Sequence, residues 1–263
     1  MSELFQQAVA NTLPLLQSIE GGVKSTPKAS LAALKKLQAA AKAASPAPLM
    51  TREDKNATLW TWSTLEKAIL SCQKCQNLVA SRTQVVFGVG NRDAELMFIG
   101  EAPGADEDKL GEPFVGRAGQ LLTKIIEAMG FTRDDIFIAN VLKCRPDMPA
   151  GESGNRKPRM DEMTTCLPWL REQIQLVKPR VMVALGATAA EGLLGETRPM
   201  RELRGQWLDF HSTPVMVTYH PAYLLRNQTI TEKRKVWEDM LLVLEKLGHP
   251  ISEKQRKFFT SAA

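Results

Sequence analysis

Three polar residues stand where apolar stretches of the sequence end or are interrupted, and their types suit acid–base chemistry and hydrogen-bond recognition. Glu101 follows the apolar run 96–99 in a Gly-Glu-Ala-Pro-Gly turn, Asn140 interrupts a second run, and His220 follows a third. Each has an ordinary explanation by itself, such as a solvated carboxylate in a surface turn or a structural histidine beside a proline. The Gly-x-x-x-Gly spacing is weak evidence for a phosphate loop, since the Gly-Lys-Ser/Thr of a P-loop is absent.

Four apolar runs, each followed by helical sequence, predict the fold that must position these residues. The runs are too short for helices and are bounded by turns, which is typical of buried strands. They span 95–99, 136–142, 180–185 and 214–219. Helices are predicted at 61–70, 118–129, 160–176, 187–194 and 231–247. This alternation predicts an α/β fold of three layers (αβα) with a central four-stranded parallel sheet.

Parallel strands would place the three polar residues at one edge of this sheet. Glu101, Asn140 and His220 each lie near the carboxyl end of a different strand, where open α/β sheets bind their ligands. We therefore expect all three to face one crevice. Asparagine is unfavourable in a strand and, if buried, must find hydrogen-bond partners, so Asn140 needs a reason to be there. Phe114, in a loop between a proline and a glycine-containing segment, either contributes to the crevice or simply covers the core.

The four cysteines form a second candidate site. Cys72 and Cys75 make a Cys-x-x-Cys pair, and Cys144 and Cys166 lie far from them in the sequence. Structural disulfides are rare in a reducing compartment, so metal or redox chemistry is the favoured use. Four thiolates suit either tetrahedral Zn²⁺ or a [4Fe-4S] cluster, and without further information zinc is favoured. Four free, buried thiols are the plainer alternative.

Composition adds weaker constraints. Among 263 residues, 34 basic side chains against 29 acidic ones leave a net charge of +5, which suits a polyanionic partner without requiring one. The first residues lack the basic region and apolar core of a signal peptide, and no apolar stretch approaches the roughly 18 residues of a membrane span. We therefore expect a cytoplasmic protein.

The order and spacing of the motifs resemble those of the family 4 uracil-DNA glycosylases, the iron–sulfur branch of the uracil glycosylase superfamily. The resemblance covers about residues 65–247. Besides the four cysteines, it is carried by Gly100-Glu101-Ala102-Pro103-Gly104, Pro113-Phe114-Val115-Gly116, Asn140 with Lys143-Cys144-Arg145-Pro146, and His220-Pro221-Ala222-Tyr223. The long N-terminal segment and the extended stretch between Cys144 and Cys166 depart from the family pattern. The resemblance implies an enzyme that flips uracil out of DNA and hydrolyses its N-glycosidic bond, leaving an abasic site.

The resemblance implies catalytic roles for Glu101 and His220. Cleavage of the glycosidic bond develops positive charge on the sugar and negative charge on the departing base. A neutral His220 that donates to uracil O2 would stabilise the forming anion. By resemblance, Glu101 would hold the water that attacks C1′ and offset the cationic sugar.

Base recognition is expected from five other residues. The Asn140 amide can donate to uracil O4 and accept from N3–H, a pattern that cytosine reverses. Phe114 would stack on the face of the base. By resemblance, Glu107 approaches uracil C5 and excludes the methyl group of thymine, and Gly100 and Ala102 belong to the same pocket.

Contacts with the DNA are expected from Leu224 and Arg226, in a loop after His220. Leu224 would enter the space that uracil leaves, as apolar wedges do when they unstack a duplex, while Arg226 binds a flanking phosphate. In the alternative interpretation, Leu224 and Leu225 pack under the following helix.

The domain boundaries follow from composition. Residues 1–55 are expected to be an N-terminal extension and flexible basic linker, because the Lys/Ala-rich segment at 28–44 has too few large apolar residues for its own core. This segment either binds nothing or acts as a tether that touches the DNA backbone. Residues 56–250 are the expected catalytic domain, and residues 251–263 are expected to be a C-terminal tail.

The resemblance also implies a cofactor and partners. It favours a structural [4Fe-4S] cluster held by Cys72, Cys75, Cys144 and Cys166. We expect a cytoplasmic, nucleoid-associated monomer that binds single- or double-stranded DNA containing uracil, contacts no membrane, and meets a repair-protein partner through residues 1–55. Two alternatives stay open: a non-catalytic zinc-dependent DNA-binding module, and a relative that prefers another deaminated base such as hypoxanthine.

Overall fold

The apolar runs of the sequence form strands of one six-stranded sheet in the computed structural model of the chain. The structure describes residues 59–146, 148 and 154–260, so the extension predicted at 1–55 and the last three residues of the predicted tail lie outside the described residues. The strands are β1 (Val89–Gly90), β2 (Leu96–Gly100), β3 (Phe137–Asn140), β4 (Val181–Leu185), β5 (Trp207–Phe210) and β6 (Thr213–Thr218). Their spatial order is β1-β3-β2-β4-β6-β5.

The sheet has two more strands than the predicted four, because one antiparallel strand is added at each edge of the parallel part. The strands β3, β2, β4 and β6 pair in parallel, whereas β1 pairs with β3 and β5 with β6 in antiparallel fashion. β1 has only two residues. β5 and β6 are joined by a two-residue turn in which His211 and Ser212 have φ of 49° and 71°. Such turns usually carry Asn-Gly or Asp-Gly, so this hairpin leaves no clear signal in the sequence.

The helices of the described residues occur where the sequence predicts them, and several short ones are added. All five predicted helices occur with bounds within one residue of the prediction. The helices are α1 (Trp62–Leu70), α2 (Gln76–Ser81), α3 (Ala105–Leu110), α4 (Arg117–Met129), α5 (Met160–Val177), α6 (Ala187–Leu194), α7 (Met200–Leu203), α8 (Pro221–Arg226), α9 (Ile230–Leu247) and α10 (Glu253–Arg256).

Helices cover both faces of the sheet. Along β2, Met97 and Ile99 belong to the core that includes residues of α1, α5 and α6, whereas Leu96 and Phe98 belong to the core formed with α4 and α9. Parallel strands that are buried on both faces have nearly continuous apolar sequences, which explains why these four strands are recognisable from the sequence.

The segment predicted as a C-terminal tail packs against α4 and α9. Trp237 Nε1 in α9 donates to the carbonyl of Gln255 (2.6 Å), and the Gln255 amide donates to the carbonyl of Ala128 in α4 (3.0 Å). The ring centroids of Phe258 and Trp237 are 5.2 Å apart. Residues 251–260 therefore belong to the folded domain. None of the helices in the described part of the chain is long and apolar enough to cross a membrane.

Candidate active site

The polar residues predicted to share a crevice follow the carboxyl ends of β2, β3 and β6. Asn140 ends β3 and lies opposite Gly100 of β2 in the parallel register. The backbone N–H of Leu142 donates to the carbonyl of Glu101 (3.0 Å), so the segments that follow β2 and β3 stay side by side beyond the strands. His220 follows β6 by two residues and is the N-cap of α8.

Asn140 places an unsatisfied acceptor in this crevice. Its side chain is 2% exposed, and its Oδ1 has no hydrogen-bond partner within the described structure. A Cβ atom added to Gly100 would lie 2.3 Å from this oxygen and 2.6 Å from ring carbons of Phe114. Because Gly100 has no side chain, the Asn140 amide and the Phe114 ring can both lie close to the end of β2. Because a buried acceptor without a donor is unfavourable, the pocket suits a flat ligand that supplies an N–H.

His220 lies next to this pocket as a neutral imidazole. Its Nδ1 accepts from the backbone N–H of Ala222 (3.1 Å), which puts the proton of the neutral ring on Nε2. Burial lowers its pKa to about 4, and the positive charge of Arg226 adds to this effect. The ring centroids of His220 and Phe114 are 5.6 Å apart. At neutral pH, the Nε2–H of His220 is therefore a donor beside the Phe114 ring.

Glu101 approaches the same region through the N-terminus of α6. Thr188, in the first turn of α6, lies close enough to its carboxylate to affect it electrostatically. A Cβ atom on Gly186, the N-cap of α6, would lie 3.1 Å from Cβ of His220, so one helix end contacts both predicted catalytic residues. Burial raises the pKa of Glu101, although Thr188 and the charge of Lys157 oppose the rise. A raised pKa suits a carboxylate that acts as a general base.

Both carboxylate oxygens of Glu107 accept from backbone N–H groups. Oε2 accepts from Gly104 (3.1 Å), and Oε1 accepts from Val115 and Gly116 (3.0 Å each). These hydrogen bonds tie the turn after β2 to the loop that carries Phe114. Glu107 therefore has a structural role beside the one that the resemblance implies.

The remaining predicted residues of the crevice differ in their surroundings. Ala102 is half-buried and packs against the apolar core. Arg226 is exposed at the end of α8, close enough to His220 for its charge to act on that ring.

Leu224 lies in a helix, which corrects the prediction that it belongs to a loop after His220. Residues 221–226 form helix α8, and Leu224 is 4% exposed. It lines an apolar cleft between α4 and α9 together with Ile125 and Val236. Leu225 on the same helix is half-buried. For Leu224 the structure therefore favours the alternative interpretation, in which the side chain packs under the following helix.

The four cysteines line one small cavity next to α1, α2 and α5. They are Cys72, Cys75, Cys144 and Cys166, and the wall also contains Arg82, Lys143 and Trp169. The Arg82 guanidinium donates to Cys144 Sγ (3.0 Å), and the backbone N–H of Lys143 donates to Cys166 Sγ (3.3 Å). The Nε1 of Trp169 is buried without a hydrogen-bond partner in the described structure.

The chemistry of this donor set suits a thiophilic metal centre, either a single ion or a cluster. Burial raises the pKa of Cys166 to about 12 and also raises those of Cys75 and Cys144, so these three thiols stay protonated until a metal displaces the protons. Within the residues that the structure describes, no group of three or more Cys, His, Asp or Glu side chains is arranged closely enough to hold a metal ion. The thiols surround a cavity instead, and the charges of Arg82 and Lys143 would offset those of the thiolates.

A buried lysine connects the two candidate sites. Lys143 is 2% exposed, and its Nζ donates to the backbone carbonyl of Asn140 (2.9 Å) and to the side-chain carbonyl of Gln173. Sequence reasoning identified neither Lys143 nor Gln173 as a functional partner, and it also missed Thr188. Thr188 alone has a usable signal, since it follows the carboxyl end of a predicted parallel strand.

Comparison with known proteins agrees with this geometry. Residues 87–241 match the family model of the uracil DNA glycosylase superfamily. A type-4 uracil-DNA glycosylase of Thermotoga maritima is 42% identical over 178 residues, which are 67% of this chain and 89% of that protein. The type-4 uracil-DNA glycosylase of Archaeoglobus fulgidus is 37% identical over 201 residues, 73% of this chain and 94% of that protein. The protein of the same name from Sulfurisphaera tokodaii is 41% identical over 185 residues, 66% of this chain and 79% of that protein.

Proposed function

Because the chain belongs to the uracil DNA glycosylase superfamily, and within it to the type-4 enzymes, we propose that it removes uracil from DNA. The reaction breaks the bond between uracil N1 and the sugar C1′, joins the oxygen of a water molecule to C1′, and leaves free uracil and an abasic site. The observation that carries this proposal is the unpaired, buried Oδ1 of Asn140 beside the ring of Phe114.

Asn140 and Phe114 read the base. The Oδ1 of Asn140 accepts from uracil N3–H, and its Nδ2 donates to O4, while the Phe114 ring stacks on the base. Cytosine offers an acceptor at N3 and a donor at the 4-position, so both polar groups of the amide would be left unpaired inside the pocket. A site of this kind rejects the mismatched base strongly, because buried polar groups without partners are costly.

His220 stabilises the departing base. As the bond to C1′ lengthens, negative charge develops on uracil, and the Nε2–H of His220 donates to O2 where that charge accumulates. The ring is already neutral at physiological pH, because burial lowers its pKa to about 4. The hydrogen bond from Ala222 to Nδ1 keeps the proton on Nε2.

Glu101 acts on the sugar side of the bond. Its carboxylate accepts a hydrogen bond from the attacking water and offsets the positive charge of the sugar. Thr188 lies close to this carboxylate, and burial makes the ionised form a stronger base than an exposed glutamate.

The pocket wall near uracil C5 includes Glu107. Three backbone N–H groups hold its carboxylate, so the side chain cannot easily move away from a methyl group at that position. This rigidity supports the role of Glu107 in excluding thymine. Gly100 leaves the space for the base, and Ala102 follows it in the same turn.

The cysteine cavity holds a [4Fe-4S] cluster in this proposal. The four thiols, the cations of Arg82 and Lys143, and the unpaired Nε1–H of Trp169 support a metal centre here, and the similarity to the type-4 enzymes favours the cluster over a single zinc ion. When bound, the cluster fastens the segment around Cys72 to the sheet through Cys144, and hydrolysis needs no redox step from it.

The cellular setting follows from the substrate. We propose that the protein works as a monomer on single- or double-stranded DNA in the cytoplasm, at the nucleoid, with Arg226 on a flanking phosphate. The roles of residues 1–55 as a linker or repair-protein contact stay predictions.

An oligonucleotide that contains one uracil, followed by alkaline cleavage at abasic sites, tests the proposed function. We expect scission at uracil and none when cytosine occupies the same position. Glu101→Gln and His220→Ala should each lower the single-turnover rate by about 10²- to 10⁴-fold with little change in DNA binding. An intact uracil strand after incubation with the wild-type protein would contradict the proposal, and scission confined to hypoxanthine would favour a relative with that preference.

A further inference from the structure

The backbone of Phe114 has a conformation that its own chemistry disfavours. Its φ is 55°, in the left-handed region that bulky residues rarely adopt. Residues held in this way persist only where the surrounding structure imposes the conformation, and they are frequent at ligand sites. Phe114 is 7% exposed, and its ring lies near both Asn140 and His220.

Two opposite charges hold the loop on either side of Phe114. The guanidinium of Arg133 donates to the carbonyl of Pro113 (2.9 Å) and to that of Phe114 (3.3 Å). The carboxylate of Glu107 accepts from the next two N–H groups, those of Val115 and Gly116. A cation thus binds the carbonyls of 113 and 114, and an anion binds the N–H groups of 115 and 116.

Arg133 is itself held in place close to α4. Its Nη1 also donates to the Thr123 hydroxyl (3.3 Å), and the side chain is half-buried. A Cβ atom on Gly119 would lie 1.8 Å from the Phe114 carbonyl oxygen, so this oxygen occupies the space that any other residue of α4 would fill. The Phe114 carbonyl therefore has one position, between Gly119 and Arg133.

The two carbonyls that Arg133 binds belong to the peptide groups immediately before and after the α-carbon of Phe114. Fixing both peptide planes fixes φ and ψ of Phe114, and with them the direction of its Cα–Cβ bond. We propose that Arg133 is a positioning residue for base recognition, which keeps the Phe114 ring in its stacking orientation. This inference rests on the proposed function, in which that ring contacts the base.

Variants at two sites test this role through different atoms. Arg133→Met removes both hydrogen bonds, Arg133→Lys keeps the charge but not the two-pronged geometry, and Gly119→Ala pushes on the Phe114 carbonyl from the helix. Alanine is the better helix former, so Gly119→Ala should not weaken α4 itself. Arg180→Met is the control, since Arg180 forms an exposed ion pair with Glu95 away from this loop.

The measurements are kcat and KM on single-stranded uracil DNA, the inhibition constant of free uracil, the affinity for abasic DNA, and Tm. Stacking contributes equally to substrate and transition state, so we expect KM and the inhibition constant of uracil to rise while kcat changes little. The rise should be about tenfold for Arg133→Met, the size expected for lost charge-assisted hydrogen bonds. The rise in both constants should be smaller for Arg133→Lys. It should also occur for Gly119→Ala, and Arg180→Met should show none. The affinity for abasic DNA should be unchanged in all four.

A shift in Tm alone, without weaker uracil inhibition, would overturn the positioning role and leave Arg133 as a structural tie. Wild-type uracil affinity in a folded Gly119→Ala protein would also overturn it, even if Arg133→Met failed to fold. These outcomes require an active wild-type enzyme, so they are distinct from failure of the proposed function, in which the wild type itself would release no uracil.

Discussion

The ammonium group of Lys143 donates to the backbone carbonyl of Asn140 across 2.9 Å, so the residue proposed to read the base is joined to the segment that carries Cys144. The backbone N–H of Lys143 donates to Cys166 at the same time. In the proposed function, a metal centre held by the cysteines would therefore help to fix the backbone after β3, and with it the position of Asn140.

The cofactor is the first testable consequence. Protein purified without oxygen should be brown and contain about four iron and four sulfide ions per chain, as expected for a cluster with four cysteine ligands. Metal and sulfide analysis measures this directly. The Cys75→Ala protein should be colourless and have a lower Tm, whereas the Arg180→Met protein should keep the colour and the Tm of the wild type. Stoichiometric zinc without iron in the wild-type protein would contradict the assignment.

Asn140→Asp should impair the recognition of uracil. An ionised carboxylate accepts but cannot donate, so its pairing with O4 is lost at neutral pH. One unpaired buried group costs about 1–3 kcal/mol, which corresponds to a roughly 5- to 150-fold lower single-turnover rate on uracil.

The matched control for this substitution is Asn91→Asp. Asn91 Oδ1 accepts from the backbone N–H of Asp93 in an exposed turn, and a carboxylate can accept the same hydrogen bond. Asn91→Asp should therefore leave the rate unchanged. An Asn140→Asp enzyme with the wild-type rate on uracil and the wild-type discrimination against cytosine would show that another residue reads the base.

The pH dependence of the rate should reveal the protonation of the Glu101 carboxylate. Burial raises its pKa above the ordinary value of 4.5, so activity should fall as the pH drops through a midpoint above 4.5, where the carboxylate becomes protonated. Single-turnover rates on single-stranded DNA measure this profile, and Glu101→Gln should lack that midpoint. A wild-type rate that stays constant down to pH 4.5 would contradict the role of Glu101 as an ionised base.

His220 should titrate at lower pH than Glu101. Its pKa is about 4 in the folded chain, against an ordinary value of 6.5. As the pH falls, the His220 imidazole is protonated at a higher pH in the unfolded chain than in the folded one. Protonation therefore favours unfolding, and His220 should reduce the stability of the fold as the pH falls from about 6.5 to about 4. The ring signals in an NMR titration, compared with those of His220→Ala, would show the midpoint; a midpoint near 6.5 would mean that the ring is not buried in solution.

Leu224 and Leu225 should differ when each is replaced by alanine. Leu224 is buried in the cleft between α4 and α9, so Leu224→Ala should cost about 2–5 kcal/mol of unfolding free energy and lower Tm. Leu225→Ala, on the half-buried side of α8, should cost much less. Denaturant unfolding of both variants measures the difference.

Rates on a U·A pair and on single-stranded DNA complete this comparison. Unstacking is needed only in the duplex, so a wedge residue should matter more there. A stable Leu224→Ala protein with a loss confined to duplex DNA would restore Leu224 as the wedge and contradict its role in the core.

Most of the main fold could be predicted because its signals are local. The strands β2 and β4 are apolar at every position, since helices cover both faces of the sheet, and the helix at 187–194 occurs with the predicted bounds. The edge strands were missed for equally local reasons. β1 is too short to show a pattern, and the His211-Ser212 turn uses residues that are uncommon in a two-residue hairpin.

The sequence by itself determined that three polar residues lie at one edge of the sheet, because the carboxyl ends of parallel strands share that edge. Glu101, Asn140 and His220 follow from that rule. Only the tertiary structure decided which groups hold them. Arg133 contacts the Phe114 carbonyl from a position 19 residues away, and Lys143 contacts Gln173 across 30 residues. Periodicity reports the face of an element that is buried, but the partner of a buried polar group depends on how separate elements pack, and no local pattern records that.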